Sequence, residues 1–173
     1  FPARPVQPTM WLSTKSFKIT LERMAHICGW LGDMGIDFWR FPSKMFPVID
    51  KDFTIDYKGE KVIDTKKVLD VAQVRSEIYN IEHLSKLFEV KDIRTCIHAS
   101  MYCNPTSLKP DVVERSIIEI EVLSYFSKHF GRGWVETRLG PLGDSREDAF
   151  NRFEVFYERL SENARKYIVL END

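Results

Sequence analysis

Four residues raise the chemical question: Arg40, His98, Arg138 and Glu171 each follow or close a short apolar run. In parallel α/β folds, binding and catalysis gather where the strands run out at their C-terminal ends. Ser43 follows Arg40, Tyr102 and Asn104 follow His98, and Asp173 follows Glu171. Every strand of such a fold would deliver a charged or metal-capable group to one rim. His98 comes after Cys96-Ile97 and before a loop, a place that points its ring at the rim. A histidine nitrogen and a carboxylate on neighbouring strands suit Zn²⁺ or Mn²⁺. The plainer alternatives are a histidine bonded to an adjacent loop and, for Glu171-Asn172-Asp173, a solvated chain end.

The elements that must position these groups are legible as alternating helices and strands. Phe17, Leu21, Met24, Ala25, Cys28 and Leu31 recur every three or four residues, one face of a helix that Gly35 stops. Ile36–Phe41 reads as a strand ended by Pro42, with Pro47 in the loop beyond. Residues 48–68 read as an irregular connection holding a small hairpin, Phe53–Tyr57 and Glu60–Ile63 around Lys58-Gly59. One helix then carries Val71, Val74, Ile78, Ile81, Leu84, Leu87 and Phe88, and Asp92–His98 is the next strand. Pro110 and Asp111 suit the first turn of a third helix, with Val113, Ile117, Ile120 and Leu123 on its face and Gly131 at its end. Trp134–Leu139 is a strand, 140–144 a turn, and Ser145 with Asp148 a capping pair. A fourth helix holds Phe150, Phe153, Phe156, Tyr157 and Leu160, and Tyr167–Leu170 is the last strand. The strand spacings suit right-handed βαβ units of about 30 residues or more. The expectation is an α/β fold of parallel βα units, either a small open sheet or part of a TIM barrel, which needs about 250 residues when complete. Residues 1–173 are read as one domain with the hairpin inserted at about 48–68.

Composition narrows the partners. The chain has 173 residues, 43% of them hydrophobic and 29% charged, which fits a globular protein and excludes a disordered one. With 25 basic and 26 acidic side chains the net charge is −1, so any nucleic-acid contact must come from a local patch. No apolar run reaches the roughly 18 residues of a membrane span. Phe1–Pro5 shows no signal peptide. Three cysteines, Cys28, Cys96 and Cys103, form no C-x-x-C pair, which argues against a disulfide framework or structural zinc and for an intracellular protein. His26, His83 and His129 fall on helices as surface or packing residues. The Phe150, Phe153, Phe156 stripe reads as core, and Glu114, Glu119 and Glu121 as the wet side of one helix. No dinucleotide, P-loop or H-E-x-x-H motif is present.

The run His98-Ala99-Ser100-Met101-Tyr102-Cys103-Asn104-Pro105, followed by Pro110-Asp111-Val112-Val113-Glu114-Arg115-Ser116, resembles the UV damage endonucleases. That family reads close to His-Pro-Gly-Gln-Tyr-x-Asn-Pro and then Pro-Glu-Val-Val-Glu-Arg-Ser. Arg40-Phe41-Pro42-Ser43-Lys44-Met45-Phe46-Pro47 is similar to its Arg-Ile-Ser-Ser-x-Leu-Phe-Pro, and Leu170-Glu171-Asn172-Asp173 matches its Leu-Glu-Asn-Asp. The likeness starts near Ser16; the hairpin departs from it. The resemblance implies an endonuclease IV-like TIM barrel, with Phe1-Pro2 just after its first strand and Asp173 just after its fifth. It also implies a metal-dependent DNA repair endonuclease cutting 5′ of UV-type lesions in double-stranded DNA. Divalent ions, manganese first and zinc or magnesium as alternatives, would be held partly by His98 and Glu171. Met101 and Tyr102 would probe the damage, beside Asn104 and Ser43, while Arg40, Lys44 and Lys109 are candidates for backbone phosphates.

Three departures stand out. Met101 replaces the family's probing glutamine, and Ala99-Ser100 replaces Pro-Gly. Arg138 stands where a metal-binding histidine is expected. A guanidinium stays protonated and has no acceptor, so it cannot ligate, but it can contact phosphate. Two other readings stay open: a catalytically silent damaged-DNA-binding relative, and a sugar isomerase or epimerase of the same barrel type. The expected protein is an intracellular monomer, in cytoplasm and nucleoid or in a nucleus, with no membrane contact.

Overall fold

A computed structural model of the chain describes residues 16–131, 133–140 and 145–171. The 141–144 turn and the expected positions of Phe1-Pro2 and Asp173 lie outside these residues. The elements run α1 (Phe17–Asp33), β1 (Phe38–Pro42), a 3-10 turn (Ser43–Met45), β2 (Val48–Tyr57) and β3 (Glu60–Leu69). They continue with α2 (Val71–Ser76), α3 (Ile78–Val90), β4 (Arg94–His98), α4 (Pro110–Phe130) and β5 (Gly133–Thr137), and end with α5 (Arg146–Arg159), α6 (Glu162–Tyr167) and β6 (Ile168–Leu170).

Four strands form one parallel sheet in the order β1-β4-β5-β6, the arrangement that successive right-handed βαβ units generate. Pro42, His98 and Glu136 lie side by side across three of them. Alternation along each strand splits the sheet into two faces. Trp39, Phe41, Thr95, Ile97 and Val135 point to the helices and are buried. Arg40, Cys96, His98 and Glu136 lie on the opposite face. Phe126 of α4 is the centre of the helix-side core, with ring centroids 6.2 Å from Phe41, 5.0 Å from Phe46, 5.3 Å from Phe130 and 6.5 Å from Phe17.

The helix ends follow local chemistry. Gly35 takes a φ of +69° just past α1, where Ile36 N–H donates to Leu31 O at 2.9 Å. Pro110 opens α4, and Gly131 closes it at φ +74° with its N–H 2.8 Å from Ser127 O. Ser145 accepts from the Asp148 N–H as the N-cap of α5.

Five expectations need correction. The insertion is no small hairpin in an irregular connection. β2 and β3 are ten residues each, paired without a break from Val48 with Leu69 to Tyr57 with Glu60. Their arms lack clean apolar alternation because charge pairs such as Asp50–Lys67 do part of the cross-strand pairing. Phe53 and Val68 are the buried residues of the pair, and both arms contact α4. The helix expected over 71–88 is broken at Glu77 into α2 and α3, with Asp70 capping the first through Ala72 and Gln73 N–H. A further short helix, α6, precedes the last strand, capped by Ser161 on Ala164 N–H. The acidic residues of α4 are no simple wet side. Glu114 pairs with Arg159, and Glu121 accepts from Ser161 N–H and Oγ at 2.6 and 2.8 Å. Glu119 accepts from Ser100 N–H and Oγ. Each carboxylate binds a donor on a neighbouring segment. Of the phenylalanine stripe, Phe156 is buried but Phe150 is largely exposed. His26 and His83 are exposed, and His129 lies 3.4 Å from Glu82 against the Tyr125 ring.

Candidate functional site

At the C-terminal ends of the strands, an ion-pair web covers the sheet face away from the helices. Glu171 leaves β6 with its N–H bonded to Thr137 O at 2.9 Å, which fixes its side chain over the sheet. Its Oε1 accepts from Arg40 Nη2 at 3.1 Å. Its Oε2 accepts from Arg138 Nε at 2.7 Å and lies 3.2 Å from His98 Nε2. The Arg138 hydrogen bond above all holds the Glu171 carboxyl down at a pKa of about 2; desolvation pushes the other way, and the His98 and Arg40 hydrogen bonds add to the lowering.

His98 is oriented from its other nitrogen. Nδ1 lies 2.6 Å from Ala99 O, and a carbonyl can only accept, so Nδ1 carries the proton. Nε2 then faces a carboxylate oxygen, a contact that needs a cation between them, either a proton or a metal ion. A ligating histidine commonly donates its second N–H to a backbone carbonyl in this way. His98 and Glu171 therefore fit as two ligands of a divalent ion. Among the described residues no group of three or more histidine, cysteine or acidic side chains is placed to hold one.

The sequence reading missed Glu136. Its carboxylate receives Arg40 Nε at 2.9 Å and the Cys96 thiol at 3.3 Å, level with His98 in the strand register. Burial first, then the Glu136 carboxylate, pushes the Cys96 thiol up to about 12. Arg40 thus bridges two acids, Glu136 and Glu171. The available signal was parity: two residues before Arg138, Glu136 shares the inward face with His98 in a parallel register.

The loop after β4 is pinned at both ends. Glu119 holds Ser100, Cys103 N–H donates to Ser100 O at 2.9 Å, and Ser116 Oγ accepts from Asn104 N–H at 2.8 Å. Cys103 is buried within 3.5 Å of Thr137 Oγ1. This tight turn leaves Met101 and Tyr102 projecting side by side, 81% and 73% exposed. Asn104 lies partly buried under the Gly140 turn; a Cβ at Gly140, where φ is +88°, would collide with its side chain. Ser43 is buried at 3% exposure, whereas Lys44 and Lys109 are exposed. Lys109 is the residue before α4, at its N-cap.

The order of these motifs and the sheet they build agree with one sequence family. The model of the UV-endonuclease UvdE family matches residues 14–173. The chain belongs to the UvdE family. Among solved structures, the crystal structure of SacUVDE superposes with a TM-score of 0.72 at 22% identity, over 92% of this chain and 50% of that one. The parallel sheet of βα units is accordingly part of a TIM-barrel-like fold, and the chain spans about half the length of this UvdE structure. No curated protein matches the sequence. None of the described helices is long and apolar enough to cross a membrane.

Proposed function

We propose that this UvdE-family chain acts on damaged double-stranded DNA as an endonuclease that cuts the phosphodiester 5′ of UV-type lesions, inside the cell and as a monomer. The observation that carries the reading is the pinned loop that follows the His98 strand end and presents Met101 and Tyr102 to solvent. Tyr102 can stack on an unpaired base, worth about 1–3 kcal/mol, and Met101 can act as an apolar wedge between base steps. Lys44 and Lys109 are exposed cations for backbone phosphates, and Arg40 and Arg138, though paired with Glu171, keep part of their side chains open to one. His98, with Nδ1 committed to Ala99 O, offers Nε2, and Glu171 offers its carboxylate. A divalent ion held there, manganese first and zinc or magnesium as alternatives, would supply an activated water and stabilise the leaving oxygen.

One observation favours a second reading. Arg138 occupies the same Glu171 oxygen that His98 faces. Metal entry has to compete with a guanidinium already in place, as it would in a silent damaged-DNA-binding relative. Nicking of UV-irradiated plasmid in Mn²⁺ separates the two. Cutting that is lost in His98→Ala supports the endonuclease. A gel shift of damaged duplex without cutting supports the silent relative. Calorimetry with Mn²⁺ checks the ligand assignment, since His98→Ala should abolish or strongly weaken any binding the parent shows.

A further inference from the structure

A cavity of about 390 Å³ lies where the base of the β2–β3 hairpin meets the strand-end rim, next to the Met101-Tyr102 loop. Its size falls in the range of roughly 300–1,000 Å³ typical of small-molecule sites, enough for one nucleotide and far too small for a duplex. Three cations on three different elements line it: Lys44 on the 3-10 turn, Lys67 on β3 and Arg115 on α4. Lys67 is tied to Asp50 at 2.9 Å. Lys44 and Arg115 make no ion pair among the described residues, and Arg115 Nε is buried with no hydrogen-bond partner. The acid in the lining, Glu119, is committed to Ser100 and does not pair with Arg115. A buried donor without an acceptor is costly, and native structures rarely leave one. The rest of the wall mixes Val48, Val68, Leu69 and the Tyr102 ring with Ser43, Ser100 and Ser116.

We propose that this pocket binds the phosphate of a single nucleotide, with Arg115 and Lys44 on the phosphate oxygens and the base lying against Leu69 and Tyr102. A phosphate supplies the several charged acceptors that a guanidinium and an ammonium need, and Arg115 can meet it in a bidentate fashion. The inserted hairpin is the fourth wall, so the pocket is a property of this chain's insertion. The proposal rests on the nucleic-acid reading above for the source of the nucleotide, an extrahelical residue or a strand end.

The test is an amide-shift and calorimetric titration of the full chain with thymidine 5′-monophosphate, thymidine and inorganic phosphate. The monophosphate should bind and perturb Leu69, Tyr102 and Arg115. Thymidine, which lacks the charged acceptor, should bind at least about tenfold more weakly. Arg115→Gln and Lys44→Gln should each weaken the monophosphate by about tenfold or more. Lys44 is exposed, so its substitution reports on binding even if Arg115→Gln perturbs folding. Perturbations confined elsewhere, or a Lys44→Gln variant that binds like the parent, would overturn the site. Inorganic phosphate binding as tightly as the nucleotide would overturn the base contact. A parent that binds the monophosphate here but neither cuts nor shifts UV-damaged DNA would keep the pocket and remove the DNA reading. Damaged-DNA cutting without monophosphate binding would do the reverse.

Discussion

The two faces of the four-stranded sheet are built from the same strands and share nothing else. The helix side is a dry aromatic core around Phe41, Phe88, Phe126 and Phe130. The opposite side carries Arg40, Cys96, His98, Glu136 and Glu171, joined by ion pairs and hydrogen bonds. One face is close-packed and sets stability. The other spends its side chains on charges that hold one another in place. The contrast shows that a parallel strand need not be apolar on both sides when one face serves a site. It also shows that a single residue of register separates the two roles.

The largest effect that can test the contrast lies on the helix side. Phe126→Ala should cost about 3–5 kcal/mol, because four aromatic neighbours would face the cavity. Chemical denaturation checks this, and a loss below about 1 kcal/mol would contradict the close packing described. Arg40→Met, on the other face, should change stability by no more than about 1 kcal/mol, since its ion pairs are partly solvated. Its cost should appear in DNA affinity and its salt dependence.

Glu171→Gln sharpens the comparison through pH. The Glu171 carboxyl is depressed in the fold from 4.5 to about 2. A depressed carboxyl contributes stability that is present above its unfolded value and lost as pH falls through the folded one. The parent should lose this contribution between pH 4.5 and about 2, and the glutamine variant should show a flatter acid limb over that window. Identical acid limbs in the two proteins would show that the web does not hold the charge.

A further test concerns Cys96, an inward-facing residue that is nevertheless buried. With Cys96 and Cys103 both pushed up to about 12, alkylation at pH 8 should run roughly a thousandfold slower than for an ordinary thiol. Glu136→Gln should speed Cys96 and leave Cys103 unchanged, because Glu136 raises only the former. Equal rates before and after substitution would place the carboxylate away from the thiol.

The sequence by itself determined the alternation of helix and strand, because three- and four-residue apolar spacing and Gly or Pro stops are local properties. Gly35, Pro110 and Gly131 act within a few residues of themselves. The motif around His98, Tyr102 and Asn104 was legible for the same reason, and it pointed to the right family. The break at Glu77 has no Gly or Pro to announce it. The hairpin and its Lys58-Gly59 turn were legible, but the outer halves of its arms were not, because their pairing is cross-strand, Asp50 with Lys67, rather than periodic along one strand. Ser161 did carry a capping signal for α6, but six residues are too few for periodicity to show. Only the tertiary structure decided what the charges do. Glu119 looks like a solvated helix residue until α4 is laid under the β4 loop, where it becomes the acceptor that fixes Ser100. Arg40, Glu136 and Glu171 are far apart along the chain, and their pairing depends on the parallel register of β1, β4, β5 and β6. Such contacts act over a few ångströms of space and leave no local pattern in the sequence.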